Sequence, residues 1–161
     1  MAKTPETGQV PPDFTLPGIE LAEGDAIRSQ YTLSQQRGKP IVLAFYPGDN
    51  TSVCTRQLCS YTSGLENFTR FGASVWAISP QDLRSHEDFA RAYNLGFPLL
   101  ADEDLMVARQ YGVMLGGAGV RRSVFVIDPG GVLRWKHITL VGLTFPTAET
   151  IAAQLAVVRA A

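Results

Sequence analysis

The chain of 161 residues is poor in cysteine, in histidine and in net charge, with two cysteines, two histidines and a formal charge of -1 at neutral pH. Two cysteines close at most one disulfide, too little to staple a chain of this length, so a disulfide-framed secreted miniprotein is excluded and chemistry is the better reason for the thiols. With 14 Lys and Arg against 15 Asp and Glu, there is no basic surplus of the kind that draws nucleic acid or anionic lipid. Long apolar runs are missing too. No stretch approaches the 18 residues of a membrane span, and Met1–Pro12 carries one Lys and no apolar core of a signal peptide. The expectation is a cytoplasmic protein with neither a nucleic-acid nor a membrane partner.

What is present is the composition of one globular domain. Hydrophobic residues make up 45% and charged residues 18%, with a mean hydropathy of +0.04, and a chain of this size buries roughly 70% of its unfolded surface. Residues 1–12, with three prolines, are expected as a poorly ordered lead-in, and residues 13–161 as a single domain. Phe14, Leu16, Tyr31 and Leu33 around a polar stretch from Glu20 to Arg28 suggest a short peripheral hairpin. Ile41 to Tyr46 is apolar at every position, the pattern of a parallel strand buried on both faces. Cys54, Leu58, Tyr61, Leu65 and Phe68 then recur at spacings of four and three, one stripe of a helix that Gly72 ends.

The alternation continues. Ala73–Ser79 reads as a second buried strand and Ser85–Asn94 as a helix with Phe89, Ala90 and Tyr93 inward. Leu99-Leu100 is a short apolar piece, and Glu103–Tyr111 a helix with Leu105 and Ala108 inward. Ser123–Asp128 and Val132–Ile138 are strands joined by the turn residues Asp128-Pro129-Gly130-Gly131, hence an antiparallel hairpin. Thr147–Val158 closes as a helix with Ile151, Leu155 and Val158 on one face. This order predicts an α/β, thioredoxin-like fold: a mixed central sheet flanked by helices, with an N-terminal hairpin extension.

A cysteine in the first turn of a helix meets unsatisfied N–H groups and the positive end of the helix dipole, both of which favour thiolate over thiol. The stripe puts Cys54 there. From position alone it could equally be the small hydrophobe that begins the stripe. Its neighbours Pro47 and Thr51 complete P-x-x-x-T-x-x-C within Phe45–Cys54, directly after the buried strand. This resembles the active-site signature of the peroxiredoxins. Asp13-Phe14-Thr15-Leu16, Ile78-Ser79-Pro80, Phe97–Asp102 and Arg122–Asp128 are similar to the family as well, and the four residues between Cys54 and Cys59 resemble its PrxQ or bacterioferritin comigratory protein subgroup. The chain departs from that subgroup at Ser52-Val53, where members often carry Pro-Gly, so the first helical turn is expected to differ in shape.

The resemblance implies a thiol peroxidase acting on hydrogen peroxide and organic hydroperoxides. Cys54 would attack as thiolate, Cys59 would condense with the resulting sulfenic acid to a disulfide, and a thioredoxin-like protein would reduce it, with no cofactor or metal. A monomer is expected. An ordinary thiol is only about 3% ionised at pH 7, so a nearby cation is needed; Arg122 matches the family's active-site arginine, and its planar fork can hold sulfur and peroxide oxygen together. Thr51 can accept from a hydroperoxide and donate in turn, or cap the helix. Pro47, lacking an N–H, can line the pocket or simply end the strand.

Other readings are weaker. A thiol-disulfide oxidoreductase typically carries Cys-x-x-Cys, and a noncatalytic thioredoxin-like binding module would not need Pro47, Thr51, Cys54 and Arg122 together. Cys54, Cys59, His86 and His137 match structural zinc spacing poorly, and the two histidines are expected to be solvated or packed. Gly116-Gly117-Ala118-Gly119 precedes a strand rather than joining a strand to a helix, so a mobile loop near Arg122 is expected instead of a dinucleotide site. Asp102, Glu103 and Asp104 fit a helix start.

Overall fold

The computed structural model describes residues 3–116, 119–139 and 144–160, with the side chains of residues 159 and 160 left aside. Alternation in the central strands builds two cores. β3 (Ile41–Phe45) is buried throughout, sending Val42 and Ala44 to one face and Ile41, Leu43 and Phe45 to the other. β4 (Ser74–Ser79) lies parallel to β3, and β5 (Leu99–Ala101) parallel to β4. β8 (Ser123–Ile127) and β9 (Leu133–Ile138) continue the sheet antiparallel on the other side of β3.

The hairpin extension is larger than expected. β1 (Thr15–Ala22) and β2 (Asp25–Thr32) pair along eight positions. The polar stretch from Glu20 contains their ends and a two-residue turn in which Glu23 and Gly24 have φ of 51° and 86°, the left-handed pair that such hairpins require. β1 also pairs antiparallel with β5, so the hairpin is the edge of one seven-stranded mixed sheet in the order β2-β1-β5-β4-β3-β8-β9. β6 (Met114–Leu115) and β7 (Gly119–Val120) form a separate small ribbon. Gly117 and Ala118 of the glycine-rich loop lie outside the described residues.

α1 (Ser52–Ser63), α3 (Leu83–Tyr93) and α5 (Ala148–Ala160) cover the Val42 face through Cys54, Leu58, Tyr61, Phe89, Ile151 and Leu155. α4 (Met106–Gln110) covers the opposite face through Val107 and Ala108. Several boundaries differ from the expectation. The first helix stops at Gly64, and the stripe resumes in the four-residue α2 (Glu66–Thr69), which still buries Phe68. Tyr93, expected inward, is 44% exposed, because it lies at the helix end beside Asn94, whose left-handed φ of 49° terminates α3. α4 starts after the acidic run: Asp102 accepts from the N–H groups of Val107 and Ala108, so it does serve the helix start.

The Asp128–Gly131 turn forms as expected, with Asp128 N–H bonded to the Val132 carbonyl at 2.9 Å. Within residues 3–12, Gly8 N–H donates to Leu133 O, Leu133 N–H to Gln9 O, and Tyr111 OH to Pro12 O. The first two satisfy the outward backbone groups of Leu133 at the start of the edge strand β9. Among the described residues no helix is long and apolar enough to cross a membrane.

Candidate active site

β3 delivers the chain to a short loop that turns into α1. Asn50 takes a left-handed φ of 61°, a conformation short polar side chains tolerate, and Thr51 is extended at the N-cap position without a side-chain cap bond. Its hydroxyl instead donates to the Gly48 carbonyl at 3.3 Å. Cys54 is the third residue of α1 and wholly buried. It therefore lies among the unpaired N–H groups of the first turn, where negative charge is favoured.

The cation arrives from the far end of the chain. Arg122, immediately before β8 and buried, donates through Nη1 to Cys54 Sγ at 3.3 Å and to Gln57 Oε1 at 2.6 Å. Gln57 is itself wholly buried and donates through Nε2 to Tyr61 OH at 3.2 Å, which donates to the Pro146 carbonyl at 2.6 Å. Burial pushes the Tyr61 hydroxyl well above its ordinary titration range, so it remains a donor at every relevant pH. Among the described residues no carboxylate lies within ion-pair distance of Arg122, and none of them accepts a hydrogen bond from its Nε–H. The guanidinium charge is thus held by a neutral amide and directed at sulfur.

The residues singled out from sequence separate into two groups. Cys54 and Arg122 meet directly. Pro47 and Thr51 lie exposed on the loop before α1, whereas Cys54 is buried. Cys59 sits half-buried further along the same unbroken helix, a free thiol like Cys54, and burial pushes its thiol above the ordinary 9.0. Gln57 was not anticipated, although its place three residues after Cys54 and four before Tyr61 puts it within the buried stripe. His86, weighed as a zinc ligand, is instead bonded to Asp49 and to the Leu100 carbonyl, and His137 is exposed on β9.

Residues 7–136 match the AhpC/TSA family, a span that includes Pro47, Thr51, Cys54, Cys59 and Arg122. A Coxiella burnetii protein named for the bcp peroxiredoxins is 35% identical over 146 residues, covering 85% of this chain and 92% of its own. The chain belongs to the AhpC/TSA family, among the peroxiredoxins. Wheat chloroplastic peroxiredoxin Q is 40% identical over 132 residues, or 81% of this chain and 58% of the wheat protein; the chain spans a little over half the length of such plant relatives. Among solved structures, the bacterioferritin comigratory protein of Xanthomonas campestris superposes with a TM-score of 0.75 at 28% identity, covering 89% of this peroxiredoxin and 92% of that chain. A reduced 2-Cys peroxiredoxin of Plasmodium vivax shares the fold, with a TM-score of 0.84 at 21% identity over 96% of each chain.

Proposed function

We propose that this peroxiredoxin is a thiol-dependent peroxidase that reduces hydrogen peroxide and organic hydroperoxides by an atypical 2-Cys mechanism. The observation that carries the reading is the Arg122 guanidinium 3.3 Å from the sulfur of Cys54 at a helix N-terminus. Its Nη1 donates to the sulfur in competition with Gln57, and among the described residues no carboxylate offsets its charge. The reading is further supported by relatives named peroxiredoxin Q and by the likeness to the Xanthomonas protein, which is described with alkyl peroxide reduction activity.

The chemistry follows from the groups present. The Cys54 thiolate attacks one peroxide oxygen, the O–O bond breaks, and sulfur is oxidised by two electrons to sulfenic acid as water or alcohol leaves. The Arg122 Nε–H, unpartnered among the described residues, is the donor available to stabilise negative charge developing on the peroxide. Thr51 already donates its proton to Gly48, so its remaining capacity is to accept the hydroperoxide O–H. Cys59 then displaces water from the sulfenic acid to form a disulfide, which an external thioredoxin-like dithiol reduces.

The disulfide needs a rearrangement. Five residues along a helix place the Cα atoms about 8.6 Å apart, beyond the roughly 7 Å a disulfide spans, and both cysteines lie within one continuous helix. The first turns of α1 must therefore unwind. The test is to mix reduced protein with one equivalent of hydrogen peroxide or of an alkyl hydroperoxide. One peroxide should disappear per chain together with two thiols. Persistence of both peroxide and thiols, alongside rapid exchange with a disulfide substrate, would move the assignment to a thiol-disulfide oxidoreductase.

A further inference from the structure

The loop that carries Thr51 is tied down by a buried pair which the chemistry at Cys54 does not use. His86 on α3 and Asp49 in the loop have side chains 0% and 1% exposed, with Nδ1 and Oδ2 2.8 Å apart. The other ring nitrogen, Nε2, lies 3.0 Å from the Leu100 carbonyl on β5. Asp49 also receives two hydroxyl donors: Tyr46 OH reaches Oδ1 at 2.6 Å and Ser85 Oγ reaches Oδ2 at 2.7 Å. A donor on each oxygen favours the ionised carboxylate.

Both nitrogens of His86 thus face acceptors. A neutral imidazole carries one N–H, so one of the two contacts would set lone pair against lone pair in a site without solvent. With Asp49 ionised, only an imidazolium satisfies both; the Tyr46 hydroxyl, 3.4 Å from Nδ1, is already committed to Asp49 Oδ1 at 2.6 Å. The pair lies in the interior beside wholly buried Tyr46 and Leu100, where an unpaired charge would be strongly disfavoured and a paired, fully bonded one is tolerated.

We propose that Asp49 and His86 form a buried carboxylate–imidazolium pair that acts as a positioning device for the peroxide-binding loop. The pair fastens the loop to α3 and, through Leu100, to β5; the Asp49 N–H adds a bond to Gln81 Oε1 at 3.2 Å. Asp49 immediately follows Gly48, whose carbonyl receives the Thr51 hydroxyl. Fixing Asp49 fixes that carbonyl, and with it the direction in which Thr51 presents its lone pairs. Movement that admits peroxide or unwinds α1 is then confined to Asn50 and the residues after it. The proposal rests on the peroxidase reading for its consequence, but not for the charge state of the pair.

Two measurements test it. In the unaltered reduced protein at pH 7, nitrogen NMR should show both ring nitrogens of His86 protonated, in contrast to the exposed His137; one unprotonated nitrogen on His86 overturns the proposal. This spectrum decides the charge state even if no peroxide is consumed, so failure of the peroxidase reading is told apart. The second is a cycle of the peroxide step with His86→Gln and Thr51→Val, run at a pH where Cys54 is ionised. His86→Gln should slow the step roughly 10-fold to 100-fold in the native background and much less in the Thr51→Val background, because both changes act on the same contact. Equal slowing in both backgrounds would mean a purely structural role and overturn the positioning claim.

Discussion

Arg122 Nη1 is shared between Cys54 Sγ, 3.3 Å away, and Gln57 Oε1, 2.6 Å away. The shorter contact orients the guanidinium and the longer one acts on the sulfur. Because the orienting partner is an amide, it fixes the cation without neutralising it. A carboxylate in that place would compete with the thiolate for the same charge.

Arg122→Met should reduce peroxide consumption in two separable ways. At neutral pH fewer Cys54 sulfurs are ionised, and at any pH the developing oxygen charge has lost a donor. Alkaline solution restores only the first, so the rate at high pH should remain about 100-fold to 1,000-fold below the native protein. Full recovery at alkaline pH would leave Arg122 acting on ionisation alone, and an unaltered rate throughout would remove it from the site.

The resolving step should accelerate with pH. Burial pushes the Cys59 thiol above its ordinary range, so at pH 7 the thiolate fraction in the folded helix is below the roughly 3% of an ordinary thiol. Disulfide formation after a fast peroxide pulse, followed by quenching and mass analysis, should rise about tenfold per pH unit through pH 8. A plateau below pH 8 would show that Cys59 ionisation does not limit the step.

Much of this arrangement was legible in the chain itself, and the rest had a common physical reason for staying hidden. Ile41–Tyr46 announces a doubly buried strand because no position alternates with a polar one, and Asp128-Pro129-Gly130-Gly131 announces a turn through local backbone chemistry. Cys54 and Arg122 stand out by residue type and neighbours. Gln57, Asp49 and His86 do not, because a buried polar residue looks like a solvated one until its partners from α3, β5 and β8 arrive. His86 did carry a signal, lying three and four residues before Phe89 and Ala90 on the buried face of α3. The break at Gly64 and the outward Tyr93 are end effects, set by where tertiary packing stops.

Oxidation should loosen one segment selectively. Amides from Thr51 to Ser60 should be less protected from hydrogen exchange in the Cys54–Cys59 disulfide form than in the reduced form, while those around Gly130 stay unchanged. Equal protection in both states, with the disulfide confirmed by mass, would contradict the unwinding of α1.

The Gly130 hairpin should in turn matter for stability and not for activity. Burial raises the Asp128 carboxyl, but the Val132 N–H, Arg134 and the Gly130 N–H outweigh it and hold the group below its ordinary 3.8. A folded value below the unfolded one gives stability that is complete above the unfolded value and fades as pH falls through the folded one. Asp128→Ala should lower unfolding free energy by about 1 kcal/mol at pH 7, with the difference from the native protein shrinking in acid and peroxide consumption unaffected. A pH-independent difference in urea midpoints would show that the charge plays no part.

The assignment of Cys54 as attacking sulfur and Cys59 as resolving sulfur is tested most directly by a single turnover of the two serine variants. Reduced Cys59→Ser should consume one equivalent of peroxide rapidly and end with one added oxygen on Cys54, trapped by a sulfenic-acid reagent. Cys54→Ser should consume none on that timescale, since an alcohol is scarcely ionised at neutral pH. Rapid consumption by Cys54→Ser with an inert Cys59→Ser would reverse the two roles and contradict the account built on Arg122.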